Sequence, residues 1–384
     1  MNNAQNINNQ PSIKRETRNK IKVEFERTPL KERLKAKYLS KFFWGNVAWY
    51  FFRLVLLIGI SYIVLYPFIS KIMGSFMAPE DFLDPTIILV PKNWTIDMYK
   101  YIYLDLDYMT GFLNTLMLAG STAILQTFTC ATIAYGLAKF KFKGGKYIFL
   151  AVVVTMVIPH PTIQNAMFSY FQKFDVLGIF RMLAGGGLGI GDFTFTNDFF
   201  KSINLAPHQL DKFGNAVYTG IWSNTGLNLN NSYWPMVIMS VTGLGFKNGL
   251  YVFLLRQFFR GIPDELEESA YIDGSGTIRT FIQVIIPLSV PMLITVFLFS
   301  FSWQWTDNFY TSLFFTNQRI ILLNKIVGNA PPKTLVTQFE EQARYYAAIR
   351  NTCGLMIIAP LVIMYVFCQN FLVQGIERSG LTAD

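Results

Sequence analysis

Six apolar runs alternate with polar stretches along this chain of 384 residues. They cover about 47–70, 112–137, 147–170, 233–259, 282–305 and 355–373, and each is close to the ~20 residues that a helix needs to cross a bilayer. The pattern predicts an all-α integral membrane protein with six transmembrane helices. Two runs carry breakers. The third contains IPHPTI, and the fourth contains TGLGFKNG, which predicts a kink. Arg53, near the start of the first run, is placed to snorkel to the headgroups. The polar remainder divides into an arm at 1–46, three longer segments at about 71–111, 171–232 and 306–352, a shorter one at 260–281, and a tail at 377–384.

Lysine and arginine in the short polar segments set the orientation. Before Gly45 there are eleven Lys or Arg against four Asp or Glu, a net +7 within a formal total of +9. A basic arm beside a span is held at anionic lipid on the cytoplasmic face. Nucleic acid is the other reading of such an arm, and its place next to a span argues against it. AKFKFKGGK (Ala138 to Lys146), between the second and third runs, adds four lysines and no acid. Both observations place the N-terminus in the cytoplasm, and six spans return the C-terminus there. The three longer segments then lie outside and 260–281 lies inside. The long arm ahead of the first apolar run is not the pattern of a cleaved leader.

Composition agrees. The chain is 52% hydrophobic and 15% charged, where a soluble domain is about 25% charged; the mean hydropathy is +0.32. Cys130, Cys353 and Cys368 all fall in apolar runs, without metal or disulfide spacing. His160 and His208 are too far apart in sequence to suggest a histidine-rich metal site. No metal site is expected.

The segment inside holds EESAYIDGSGTIRTFIQVIIPLSVP (Glu267 to Pro291). Pro263 suits the first turn of a helix, where its missing N–H costs nothing. Asp264, Glu265, Glu267 and Glu268 crowd that helix start, where the dipole favours negative charge. Gly274 permits the left-handed conformation that ends a helix, and Ser275 or Thr277 can cap the next one. The expected product is a short helix, a sharp turn and a second helix entering the membrane. It is either a protrusion for a soluble partner or an ordinary amphipathic loop, and these residues alone do not choose.

Glu268-Ser269-Ala270, then Asp273-Gly274, then Ile286-Pro287 resemble the EAA signature of ABC importer permeases in residue type and spacing, with Ser269 in place of Ala and Ile286 in place of Leu. AYGLAKFKFKGGK (Ala134 to Lys146), FQKFDVLGI (Phe171 to Ile179) and WQWTDNF (Trp303 to Phe309) resemble segments of the MalG-like carbohydrate permeases. The resemblance covers roughly 45–376. It departs at the basic arm, at an enlarged external insertion over 181–232, and at the ending QGIERSGLTAD. It implies a type I importer permease domain over 47–376 in a bacterial plasma membrane. It also implies a second homologous permease, two ATP-binding subunits, an external solute-binding protein and a carbohydrate substrate. ATP and Mg would belong to the partner subunits, leaving this chain without cofactor or catalytic residue. Glu268, Ser269, Ala270, Asp273, Gly274 and Pro287 would form the loop that couples it to an ATPase: Glu268 by a polar contact, Ala270 by close helix approach, Gly274 by aiming the helix.

Four further features each admit two readings. Pro159, Pro161, Pro287 and Pro291 read as kinks beside a pathway, or as prolines tolerated where neighbours satisfy the freed carbonyls. Trp303, Trp305, Asp307 and Asn308, with Phe309 and Tyr310, offer aromatic faces and hydrogen-bonding groups that suit sugar rings along a substrate pathway; an interfacial aromatic belt is the alternative. AGGGLGIGDF (Ala184 to Phe193) lacks the Gly-Lys-Ser/Thr of a phosphate loop and reads as a flexible external loop. DLD (Asp105 to Asp107) could hold a metal-bound nucleotide sugar, but reads as an acidic loop. Two rival functions stay open: the same machine with another solute such as a polyamine or peptide, and a membrane enzyme acting on lipid or polysaccharide. A stand-alone secondary transporter is disfavoured, since neither internal repeats nor a charged midplane site is visible.

Overall fold

The computed structural model describes residue 38 and residues 41–176, 179–180, 188–190, 193–195, 208–210, 216–218, 222–223, 226–245, 247–317, 319–330 and 343–378. Most of the basic arm, most of the insertion, part of 306–352 and the last residues of the tail lie outside these. The chain forms two units, residues 1–68 and 69–384. The described part of the first is mostly α1 (Lys41–Gly74), an apolar helix of 34 residues whose last residues belong to the second unit. Pro67 sits inside it without ending it.

The second unit is helical in all its membrane-length elements. α2 (Asp97–Asp105) leads through a tight turn into α3 (Tyr108–Lys139). Asp107, the last residue of DLD, makes that turn at φ 51°. α4 (Gly145–Val157) and α5 (Gln164–Gln172) follow, then α6 (Trp234–Val241), α7 (Asn248–Arg260) and α8 (Glu265–Ile272). α9 (Thr277–Leu288) contains a π turn at Phe281–Ile285, and α10 is Val290–Trp305. α11 (Phe309–Phe314), α12 (Leu323–Asn329) and α13 (Ala343–Arg378) complete the helices. Between α5 and α6, three short antiparallel hairpins add strands: Leu188–Ile190 with Phe193–Phe195, His208–Leu210 with Ala216–Tyr218, and Trp222–Ser223 with Gly226–Leu227. The first hairpin takes up part of the glycine-rich AGGGLGIGDF, whose other glycines lie outside the described residues.

α3 is the central post. α6, α7 and α10 all pack on it, and α10 packs in turn on α13. Ala119, Ala123, Ala131 and Ala134 are fully buried or nearly so along α3, so its neighbours approach closely. One core cluster joins α2, α3, α10, α12 and α13 around Trp305, Ile349 and Cys353. A second joins α3, α7, α9 and α10 around Tyr251, Leu255, Phe259 and Ile285.

Among the described residues three helices are long and apolar enough to cross a membrane, and two bent pairs reach that length together. α4 and the helical turns through α5 meet at 96°. Pro159 causes the break: Ile158, forced out of the helical region ahead of a proline, takes ψ 120°. α9 and α10 meet at 80° at Ser289, between Pro287 and Pro291. The fourth apolar run is the main correction. The kink expected at TGLGFKNG is a complete interruption, which divides 233–259 into helices of 8 and 13 residues. Gly243 at φ 77° and Lys247 at φ 63° both leave the right-handed helical region, and no α-helix runs through two such residues.

Candidate functional site

The segment between α7 and α10 forms an elbow of two helices. α8 carries Glu265, Glu267 and Glu268 in its first turn. It ends in a Schellman motif: Ser275 N donates to Ala270 O at 2.9 Å and Gly274 N donates to Tyr271 O at 3.0 Å. Gly274 takes φ 81°, which this motif demands, and a Cβ there would meet nothing within 4 Å. Glycine is therefore needed for its backbone alone. The cap of α9 is Gly276, with no side-chain hydrogen bond, rather than Ser275 or Thr277. The extended Gly276 backbone turns the chain directly into the helix, so neither hydroxyl is used.

Glu268, Ser269, Asp273 and Gly274 are exposed, Ala270 is half-buried, and Pro287 is exposed on the far side of the π turn. Leu266, Tyr271, Ile272 and Ile278 are also exposed, Ile272 at 86%. An apolar patch ringed by acids on a protruding helix has the make-up of a protein-docking surface.

The root of this elbow is fastened to α3 by residues that sequence reasoning did not single out. Lys139, the last residue of α3, donates from Nζ to Ile262 O at 2.7 Å and to Asp264 Oδ1 at 2.6 Å. It also lies 3.3 Å from Glu267 Oε1. That last contact is an ion pair rather than an aligned hydrogen bond, and Oε1 has no other partner. Tyr135 donates to Glu267 Oε2 at 3.3 Å, and its ring stacks on Phe281 of α9 with centroids 4.5 Å apart. Lys139's hydrogen bond and its charge hold the Asp264 carboxyl below the usual carboxylate range. The sequence did carry a trace of this clamp. Lys139 closes an apolar run, but it counted only towards orientation, and Glu267 was one acid among several.

The aromatic cluster at the end of α10 divides by role. Trp305 is 1% exposed, donates Nε1–H to Ile357 O at 2.9 Å, and packs against Phe112 and Phe301. Asp307 accepts from Thr311 N at 2.8 Å and Thr311 Oγ1 at 2.9 Å, closing the first turn of α11. Burial pushes its carboxyl up, while these bonds pull it down. Trp303 is 47% exposed, with Lys247 Nζ 5.0 Å from its ring centre. Asn308 is exposed and accepts from Ser312 Oγ at 3.2 Å. Among the described residues no group of three or more His, Cys, Asp or Glu is placed to hold a metal.

Residues 128–378, which contain the clamp, the elbow and the aromatic cluster, match the family described as "binding-protein-dependent transport system inner membrane component". The chain belongs to that family. The permease is 23% identical over 354 residues to the probable ABC transporter permease protein YurM of Bacillus subtilis (strain 168), covering 91% of this chain and 92% of that one. It is 25% identical over 320 residues to the probable starch degradation products transport system permease protein AmyC of Thermoanaerobacterium thermosulfurigenes, covering 83% and 92%. The crystal structure of a bacterial ABC transporter involved in the import of the acidic polysaccharide alginate contains a chain of similar fold. Its TM-score is 0.61 at 17% identity, covering 85% of the permease and 97% of that chain. The permease is thus the inner-membrane component of a transport system that works with a binding protein, and its family is one of transport subunits rather than enzymes.

Proposed function

We propose that the permease is one membrane subunit of an ATP-driven importer of a carbohydrate, an oligosaccharide or glycan fragment. The observation that carries this reading is the elbow: an exposed helix with an apolar, acid-ringed tip, tied at its root to α3 and continuous with α10. A separate ATPase subunit grips that tip, with Glu268 making the polar contact, Ser269 and Ala270 allowing close approach, and Asp273-Gly274 fixing the aim. Pro287 sets the path into the membrane. The carbohydrate class is supported by relatives such as AmyC, named for starch degradation products, and GanQ of Bacillus subtilis (strain 168), named for galactooligosaccharides.

In this reading the membrane unit holds six spans, the broken α6–α7 pair serving as the fourth, with both termini in the cytoplasm and the elbow facing the same side. A second, homologous permease completes the pathway. Two ATP-binding subunits hold ATP and Mg, and an external binding protein delivers the sugar. Trp303 and Asn308 are the accessible members of the outer cluster along the pathway, and Trp305 and Asp307 hold that end in shape.

Co-purification with the genetically neighbouring components tests the reading. Wild type brings down an ATPase and a second permease, and saccharides stimulate ATP hydrolysis by the complex. Glu268→Lys with Gly274→Pro loses the ATPase and keeps the second permease. A wild-type chain that purifies alone would overturn the proposal.

A further inference from the structure

The two broken spans meet around a cavity of about 630 Å³, within the range of small-ligand sites. The break between α4 and α5 contributes His160, α5 contributes Tyr170, the break between α6 and α7 contributes Lys247, and the start of α7 contributes Asn248. Tyr310 of α11 closes one side, its hydroxyl 3.0 Å from His160 Nδ1. Asn248 is 2% exposed, yet neither its Oδ1 nor its Nδ2 has a hydrogen-bond partner. A buried amide with both ends unmatched is costly and points to a missing partner. The glycines beside it keep the wall open. A Cβ on Gly245 would come within 3.2 Å of Asn248 Nδ2, and one on Gly249 would lie 2.6 Å from Thr155 Oγ1.

The wall has a sign. Lys247 is the N-cap of α7, a helix of 13 residues that Asn248 and Gly249 begin, and all three line the cavity. The positive end of the helix dipole and the Lys247 ammonium therefore lie on the same side, and no carboxylate is among the lining residues. A cation inside an apolar run is a functional pointer in its own right. The remaining walls are apolar and aromatic, with the Tyr170 ring 54% exposed, suited to the C–H face of a sugar ring.

We propose that this cavity is a substrate subsite of the permease itself and takes a saccharide unit bearing a carboxylate, a uronate. The carboxylate sits at Lys247 and the first turn of α7, the Asn248 amide bonds ring hydroxyls, and Tyr170 stacks on the ring face. This rests on the carbohydrate-importer reading and deepens it.

The test uses the intact complex, with its ATPases and binding protein, in proteoliposomes. Uptake of trigalacturonate is compared with uptake of neutral maltotriose. Wild type is expected to take up trigalacturonate. Lys247→Gln is expected to raise its half-saturating concentration about tenfold or more, since a charge-assisted hydrogen bond is lost, and to leave any maltotriose uptake within about twofold. Asn248→Leu, with assembly checked by retention of the ATPase and a single gel-filtration peak, is expected to weaken uptake of either sugar. If wild type takes maltotriose and not trigalacturonate, the uronate assignment is overturned while the importer reading stands. If trigalacturonate uptake is the same in wild type and Lys247→Gln, the subsite is overturned. If Lys247→Gln affects both sugars equally, the uronate assignment is overturned; if Asn248→Leu misassembles, Asn248→Gln replaces it: undiminished uptake by the assembled complex overturns the subsite, and weakened uptake of trigalacturonate supports it. If wild type takes no saccharide, the importer reading falls and the subsite with it.

Discussion

Lys139→Met tests whether the elbow is mechanically tied to α3. The Lys139 side chain is 6% exposed and Glu267's is 9% exposed, so the substitution leaves a carboxylate buried without a counter-charge. Losing one partner of such a pair costs about 3–5 kcal/mol. The Asp264 arm of the clamp is 79% exposed and adds little, because solvent screens it. Taking about 3 kcal/mol as the loss, hydrogen-exchange protection of amides over 262–276 should fall on the order of a hundredfold. The assay is hydrogen exchange on the assembled complex in lipid nanodiscs, reading peptides from this segment against peptides from α13 as the internal reference. Lys139→Met combined with Glu267→Gln should recover most of the protection. It removes the buried charge on both sides and keeps an acceptor for Tyr135. Unchanged protection in Lys139→Met, or no recovery in the double variant, would refute the clamp.

Gly274→Ala should cost about 1–2 kcal/mol through its φ of 81° alone, weakening ATPase retention without abolishing it, whereas Gly274→Pro also removes the N–H bonded to Tyr271 and should abolish it in the same pull-down. Trp305→Ala should cost about 3–5 kcal/mol as a core deletion, seen as lost assembly on gel filtration with or without sugar, while Trp303→Ala should assemble normally. Asp307→Ala should cost about 0.5–2 kcal/mol by uncapping α11, with Asp307→Asn recovering most of it in thermal unfolding of the complex. The Asp264 carboxyl is depressed below 3.8, so its contribution is complete above that pH and is lost as pH falls through the folded value; protection at 262–268 should therefore fall on acidification in wild type, and the corresponding acid-dependent component should be absent in Asp264→Asn.

Much of the helical framework could be read from the apolar runs, because bilayer thickness imposes one length on every spanning helix. α3 and α13 fall where two of those runs do. The elbow was legible too, since Gly274 after an acidic helix start is a local signal. Three things were not. The division of the fourth run depends on Lys247 taking a left-handed conformation, which a lysine's identity does not announce. The clamp depends on Lys139 and Glu267, 128 positions apart, being brought together by α3 packing on α7 and α9. The two tryptophans of WQW lie two positions apart on one helix, yet Trp305 is buried against α13 and Trp303 faces outward. Helical geometry separates them by more than half a turn, so one motif serves two environments.

The 80° bend at Ser289 gives the chain a crank. Its inner arm, α9, spans 12 residues and about 18 Å; its outer arm, α10, spans 16 residues and about 24 Å at 1.5 Å per residue. A rotation of about 10° at the corner would sweep Trp305 through about 4 Å, nearly one helical turn's rise. The stroke at the outer end would then exceed the displacement supplied at the inner end by about one third, the ratio of the two arms. If the two arms turn together about Ser289, a small push on α9 becomes a larger step at Trp305.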